Sequence, residues 1–219
     1  MCGCFLLKIF YVTIFIFCAI FLTSCGVNDS PKNALEEIQT SLNQKNFKNF
    51  SERVDIQKLF AQIYDESTIQ LAKNCEVYGK KYPRDPYFQH GGDFIKNYNA
   101  EHRDLHIDFA EKSLQAYFEN IPAPENPQDN PHAYVANEFE KLHLVSTAEI
   151  EDVQIEDNHA ILTVSVKGDN SLRGAFVGLI NFKLGFENIA GKWKLTAVEN
   201  IEELTPTFVD KAELIWINL

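Results

Sequence analysis

The residues whose types and spacing could do chemistry are His102 and His106, which stand four positions apart in the chain. Side chains at positions i and i+4 of a helix share one face, so the two imidazoles could bind a metal ion or line a pocket together. A zinc-protease motif needs a glutamate directly after the first histidine, but Arg103 stands there and would repel a cation. The alternative is that His102 packs on the apolar stripe of a helix, with His106 beside it.

An enzyme is the second interpretation of this region, with His102 and a nearby carboxylate as acid and base. The sequence contains no Gly-x-Ser-x-Gly, phosphate-binding loop, Cys-x-x-Cys or dinucleotide fingerprint, the motifs that announce common active sites. We therefore assign no catalytic residue and predict no cofactor. A Ser-His-Asp site stays open, because its members need not be neighbours in sequence.

Another reactive side chain, Cys25, follows directly on an apolar stretch. Residues 9–24 are uncharged and mostly apolar, and Lys8 is the only charged residue before Cys25. A short basic start followed by an apolar stretch is typical of an export signal. As a helix the stretch would be roughly 24 Å long, shorter than the ~30 Å hydrocarbon layer of a bilayer. An export signal is therefore favoured over a permanent membrane span.

The end of this stretch, Leu22-Thr23-Ser24-Cys25, resembles the lipobox of bacterial lipoproteins. The resemblance implies cleavage between Ser24 and Cys25 and transfer of a diacylglycerol to the cysteine sulfur. Each buried acyl CH₂ contributes about 0.8 kcal/mol, so two or more chains give stable anchoring. The implied location is the bacterial cell envelope, on the outer membrane or the outer face of the cytoplasmic membrane. The alternative is an uncleaved signal anchor with an incidental cysteine.

Charge and cysteine content narrow the classes of partner. The net charge is −11, and no run of lysine or arginine interrupts the acidity, so binding to nucleic acid is not expected. Of five cysteines, at positions 2, 4, 18, 25 and 75, three belong to the predicted signal and one is the predicted lipid attachment point. Cys75 would remain alone, so the mature chain would have no internal disulfide and would depend on its core for stability.

Residues 30–142 have the apolar spacing of helices. Ser30 and Pro31 suit the N-cap and first position of one helix. A second is predicted from Asp55, and its apolar positions are Ile56, Leu59, Phe60, Ile63, Tyr64, Leu71, Cys75 and Tyr78, which makes Cys75 a buried, inert thiol. A third follows a break and cap at Gly91-Gly92-Asp93 and ends near Asn120. The proline-rich residues 121–131 form a linker, and residues 133–142 form a short helix.

After residue 146 the apolar period changes from about 3.6 to 2, which indicates strands. Four are predicted, near residues 147–155, 160–166, 176–186 and 193–201, joined by short turns as in an antiparallel meander. Phe176 is placed in the third strand, and Ala197 and Ile201 on the apolar face of the fourth. Residues 205–219 fit either a strand or a helix.

The predicted fold class is α+β, with N-terminal helices packed on an antiparallel meander sheet of four or more strands. The helices of residues 30–120 are expected to cover its apolar face. The chain divides into an export signal over residues 1–24, a tether over 25–31 and one domain over 32–219. Within the domain, helices occupy 32–142 and the sheet occupies 146–201.

This order of elements resembles small bacterial lipoproteins of the nuclear-transport-factor-two-like fold, a curved sheet wrapped by helices into a cone. The residues that carry the resemblance are Val54-Asp55-Ile56 with Leu59, and Gly191-Lys192-Trp193-Lys194-Leu195. It implies an open-ended pocket without fixed chemistry. We expect a non-catalytic module that binds a small ligand or an envelope protein through the concave face of the sheet. An enzyme acting in such a pocket and a structural envelope component are the alternatives.

Overall fold

The computed structural model describes residues 29–217, so the predicted signal, its predicted cleavage site at Ser24 and the predicted lipid attachment point Cys25 lie outside the described residues. The helices are α1 (Pro31–Asn43), α2 (Phe47–Arg53), α3 (Ile56–Lys73), α4 (Cys75–Lys81), a 3₁₀ helix (Pro86–Gln89), α5 (Gly92–Phe118), α6 (Pro131–Leu144), α7 (Leu172–Val177) and α8 (Ile201–Ile217). The strands are β1 (Ser146–Glu156), β2 (His159–Gly168), β3 (Leu179–Ile189) and β4 (Lys192–Val198).

Helix α1 begins where the sequence predicts. The Ser30 hydroxyl accepts a hydrogen bond from the Asn33 amide (3.1 Å) and Pro31 occupies the first turn, so the predicted cap is confirmed. Pro31, which the predicted tether of residues 25–31 includes, therefore lies in the helix. The residues of α1 that are completely buried are Ala34, Leu35, Ile38 and Leu42, so the helix lies within the core.

The predicted second helix is wrong in its length, because it divides at Asn74 into α3 and α4. The Asn74 side chain donates to the Gln70 carbonyl (2.9 Å), the kind of local hydrogen bond that competes with helix propagation. Cys75 starts α4 and is buried, as predicted. Its thiol donates to the Phe88 carbonyl (3.3 Å), and burial raises the pKa of the thiol, which keeps it unreactive.

Two glycines allow the long helix α5 to begin against the end of α3. Gly91 is the N-cap residue with a φ of +84°, a conformation that glycine adopts without strain. A Cβ on Gly92 would lie 2.5 Å from the Ala72 carbonyl oxygen, so only glycine permits this approach. Asp93, predicted as the cap, lies in the first turn instead.

The four strands form an antiparallel sheet in the order β1-β2-β3-β4, which confirms the predicted meander and the α+β class. The placements of Phe176 and Ala197 were wrong. Phe176 lies in α7 rather than in the third strand. In β4 a bulge inserts Thr196 opposite the Gly185/Phe186 step, so Thr196 is buried and Ala197 is only half-buried, because an extra residue moves the next side chain to the other face.

Helices from both halves of the chain cover the apolar face of the sheet. Side chains on this face are completely buried, and they include Leu162, Phe182, Leu184, Phe186 and Leu195. The final segment is helix α8, whose Phe208 ring lies 6.3 Å from that of Phe182. The predicted cover by residues 30–120 alone was therefore wrong. Ile201, predicted to end the fourth strand, begins this helix.

Strand β1 lies at one edge of the sheet and is the most exposed of the strands. A bulge interrupts its pairing between Ile150 and Asp152. Beyond the bulge Val153 and Ile155 are 38% and 54% exposed, although their partners on β2 are buried. The exposed acidic residues of β1 are Glu149, Glu151, Asp152 and Glu156.

Candidate functional site

Five rings follow one face of the chain from the start of α5 to its middle, and we call them the ring column: His90, Phe94, Tyr98, His102 and His106. Successive ring centroids are separated by 4.8, 5.8, 4.3 and 5.8 Å. The spacing of four residues puts each ring over its neighbour. The column runs from the surface into the protein interior: Phe94 is 38% exposed and His106 is 5% exposed.

His102 is held by the backbone of its own helix. Its Nδ1 lies 2.9 Å from the Tyr98 carbonyl oxygen. A carbonyl only accepts hydrogen bonds, so Nδ1 must carry the proton and donate it. The imidazole also stacks on the Tyr98 ring at 4.3 Å. His102 is thus fixed in orientation by a backbone carbonyl and not by a carboxylate.

His106 is oriented by a tyrosine of another helix. Its Nδ1 lies 2.9 Å from the Tyr64 hydroxyl oxygen, and that hydroxyl also lies 2.9 Å from the Asn99 carbonyl. Since Tyr64 has one proton, which it donates to the carbonyl, Nδ1 of His106 must donate to the Tyr64 oxygen. Burial, with a smaller contribution from His102, lowers the pKa of His106 to about 4. At neutral pH His106 is therefore neutral, with its proton on Nδ1.

Asn99 joins three elements beneath the ring column. It is completely buried. Its Nδ2 donates to the Thr68 hydroxyl on α3 (2.7 Å), and its Oδ1 accepts from the Tyr87 hydroxyl on the 3₁₀ helix (3.2 Å). Burial raises the pKa of Tyr64 and of Tyr87, so both phenols remain protonated donors. The network fixes α5 in register against α3.

A surface ion pair strengthens the same contact. The Arg103 guanidinium binds the Asp65 carboxylate through two hydrogen bonds of 2.7 Å. Bidentate geometry is the favourable form of this pair, although exposed pairs contribute at most about 1 kcal/mol. Arg103, the residue that replaces the zinc-protease glutamate, is thus engaged in holding α5 to α3.

The structure brings His102 and His106 to one face of α5, as their spacing predicts. His106 is buried and His102 is half-buried, whereas the alternative placed His102 on the apolar stripe with His106 beside it. Within residues 29–217 no group of three or more His, Cys, Asp or Glu side chains could hold a metal ion. A metal on this pair would have to take its other ligands from elsewhere, and metal binding stays a prediction.

Sequence reasoning missed Tyr64 and Asn99. Tyr64 counted only as an apolar position of the second helix, although a buried tyrosine usually needs a partner for its hydroxyl. That requirement was the available signal. Asn99 gave none, because a polar residue in a predicted helix is usually exposed.

Replacing Tyr64 with phenylalanine should lower the free energy of unfolding by about 1–3 kcal/mol, because the Asn99 carbonyl and the His106 Nδ1–H would both lose a buried partner. The measurement is urea unfolding at neutral pH. Tyr82→Phe is the matched control, since the Tyr82 hydroxyl bonds Asp210 in a part-buried position. An effect of Tyr64→Phe no larger than that of Tyr82→Phe would contradict the assigned network.

Comparison of the chain with family models, curated proteins and solved structures gives no match. The lipoprotein signal and the cone-shaped fold therefore stay predictions that rest on the resemblance of short sequence motifs.

Proposed function

We propose that this protein is a lipoprotein held in the bacterial cell envelope by acyl chains on Cys25, and that its folded part binds a ligand or an envelope protein without catalysing a reaction. The observation that carries the proposal is the sequence Leu22-Thr23-Ser24-Cys25 at the end of an uncharged apolar stretch. An acylated cysteine would supply the membrane affinity that an acidic surface does not supply.

The position of the folded residues agrees with anchoring at this cysteine. The Asp29 carboxylate binds Arg53 Nη1 (2.6 Å) and the Trp193 amide (2.9 Å), so the chain is held from Asp29 onward. Only three residues separate Cys25 from Asp29. In the part of the chain that the structure describes, no helix is long and apolar enough to cross a membrane.

The ring column is the surface that we propose for binding. The apolar face of the sheet is packed against helices, since Leu162 and Leu184 are completely buried. Phe94, Tyr98 and His102 instead offer partly exposed rings on a rigid helix. Such rings bind planar groups by stacking and cations through their faces. Acidic residues of the same helix, Glu101 and Asp104, are exposed and favour a cationic partner.

Binding fits the ring column better than catalysis. A general base has a pKa near the working pH. The pKa of His106 is lowered to about 4 by burial, and the His102 ring stacks on the Tyr98 ring. Both imidazoles are thus placed as fixed, stacked rings.

The test of the anchor is Cys25→Ala in a bacterial host fed with radiolabelled palmitate. We expect the variant to lose the label and no longer to fractionate with the membranes as a lipidated protein, because no other thiol would receive the diacylglycerol. Cys18→Ala is the matched control: it removes a thiol from the same apolar stretch and should be labelled and fractionate like the parent. Labelled, membrane-bound Cys25→Ala protein would refute the proposal.

A further inference from the structure

Two β-turns lie side by side at one end of the sheet, and we call this region the hairpin end. One turn joins β1 to β2 and the other joins β3 to β4. The Asn188 amide donates to the Asn158 carbonyl across them (2.8 Å). His159 pairs with Glu187, so both turns project from the same end of the sheet. The opposite end of β2, Gly168, lies about 30 Å away along the strand.

The chain enters the fold at this same end. Asp29 accepts a hydrogen bond from the amide of Trp193, and Trp193 pairs with Asn188 next to the turn of the second hairpin. The Arg53 guanidinium holds the same carboxylate of Asp29. Asp29 is thus attached to the hairpin end through a backbone donor and an ion pair.

The length of chain before Asp29 limits how far the hairpin end can be from an anchor at Cys25. Four residue steps span at most about 14 Å when fully extended. Acyl chains on Cys25, if attached as proposed, would lie in the bilayer with the sulfur near its interface. The hairpin end would then be held within about 14 Å of the interface, a distance much shorter than the sheet itself.

The hairpin end carries apolar side chains that nothing in the described residues covers completely. Ile155 is 54% exposed and Ile189 is 43% exposed, and each stands within two residues of a turn. Carboxylates nearby are partly neutralised, since Glu187 binds Lys58 (2.7 Å) and Glu52 binds Lys192 (3.1 Å). Glu156 and Asp157 remain exposed at the first turn and would be repelled by anionic lipid.

From these positions we infer that the hairpin end rests on the headgroups of a zwitterionic phospholipid bilayer, with Ile155 and Ile189 against the lipid. The inference rests on the lipid attachment proposed above and goes beyond it, because a tether alone leaves the orientation of the domain open. Partly buried apolar side chains at a membrane interface add to the affinity that the acyl chains provide.

The same orientation places the ring column away from the bilayer. Helix α3 begins beside β4, where the Asp55 amide donates to the Leu195 carbonyl (3.0 Å). It then follows β4 away from the turns, since Gln62 bonds Val198 (3.1 Å). Gly92 at the start of α5 meets Ala72 near the end of α3, about 25 Å along that helix from its first residue. The exposed start of the ring column would face a partner rather than the membrane.

The experiment places a fluorophore at Ile189→Cys or, as the matched control, at Leu172→Cys in the lipidated full chain. Leu172 is 94% exposed and lies beyond Gly168 at the far end of the sheet. The native thiol of Cys75 is buried and does not compete for the label. Each protein is incorporated into phosphatidylcholine vesicles that contain a headgroup-labelled nitroxide quencher, and flotation measures membrane attachment.

We expect the label at position 189 to be quenched several-fold more strongly than the label at position 172. Equal quenching, or stronger quenching at position 172, in protein that floats with the vesicles would overturn the orientation and leave the lipid anchor supported. Failure of the full chain to acquire lipid and float would overturn the anchor and the orientation together.

Discussion

Phe182→Ala should lower the free energy of unfolding by about 3–5 kcal/mol, the usual cost of removing a fully buried phenylalanine ring. Phe182 lies in the middle of β3 with no exposed surface, and its ring lies 6.3 Å from Phe208 on α8. Removal of the Phe182 ring would therefore leave a cavity between the sheet and the C-terminal helix α8. Urea unfolding followed by circular dichroism measures the change.

Two further variants locate the effect of Phe182→Ala. Leu172→Ala removes a side chain of similar size that is 94% exposed, and should change stability by less than about 0.5 kcal/mol. Phe208→Ala combined with Phe182→Ala should give less than the sum of the single effects, because residues in contact are coupled. A loss below about 1 kcal/mol for Phe182→Ala would contradict the packing of α8 on the sheet.

Acid should destabilise the protein as the pH falls from about 6.5 towards 4. Burial lowers the pKa of His106 and of His143 to about 4, while an unfolded histidine titrates near 6.5. The unfolded chain binds more protons than the folded chain between these two pH values. The contribution of the two histidines to the free energy of unfolding is therefore complete above pH 6.5 and decreases below it. Each histidine could contribute about 3 kcal/mol to the loss.

His143 is buried in a different part of the protein from His106 and has different neighbours. Its Nε2 lies 3.0 Å from the Asn43 side-chain oxygen, a contact between α6 and α1. Burial is the main cause of its low pKa, and the nearby Lys45 ammonium lowers the pKa further. A charged His143 would therefore be both desolvated and repelled.

The measurement compares the free energy of unfolding at pH 7 and pH 5. His106→Gln and His143→Gln should each reduce the difference between the two values, since glutamine can hydrogen-bond but does not titrate. His159→Gln is the control, because the His159 side chain is half-exposed. If neither glutamine variant reduces the difference, the assignment of these two histidines as buried and neutral is wrong.

The parts of the fold that local physics determines were predictable. The Ser30-Pro31 start of α1 and the alternation of apolar residues along the sheet follow from capping and from strand geometry. The division at Asn74, the bulge at Thr196 and the placement of Phe176 in α7 were not predictable. The bulge and the helix α7 depend on contacts that form only in the folded chain, and the division at Asn74 depends on a side-chain hydrogen bond to Gln70. The period of the apolar residues reports none of these.

The candidate site was likewise predictable only where a local repeat of the helix determines it. The alignment of His102 with His106 follows from the helical repeat, so the spacing alone predicted it. The partner that fixes His106 is Tyr64, which is 42 positions earlier in the chain. The tautomer of His106 and its pKa both depend on that contact and on burial, and no local pattern in the sequence contains them.

The acidic edge strand β1 has a consequence for copies of the protein that meet at high local concentration, as the proposed lipid anchor would bring about. An open strand edge is a template for pairing with another chain. Two copies approaching through β1 would bring the exposed carboxylates of one strand, which include Glu149, Glu151 and Glu156, close to those of the other, and like charges across a strand pair are destabilising. Electrostatic repulsion would thereby disfavour fibrous self-assembly of copies that the proposed lipid anchor brings close together.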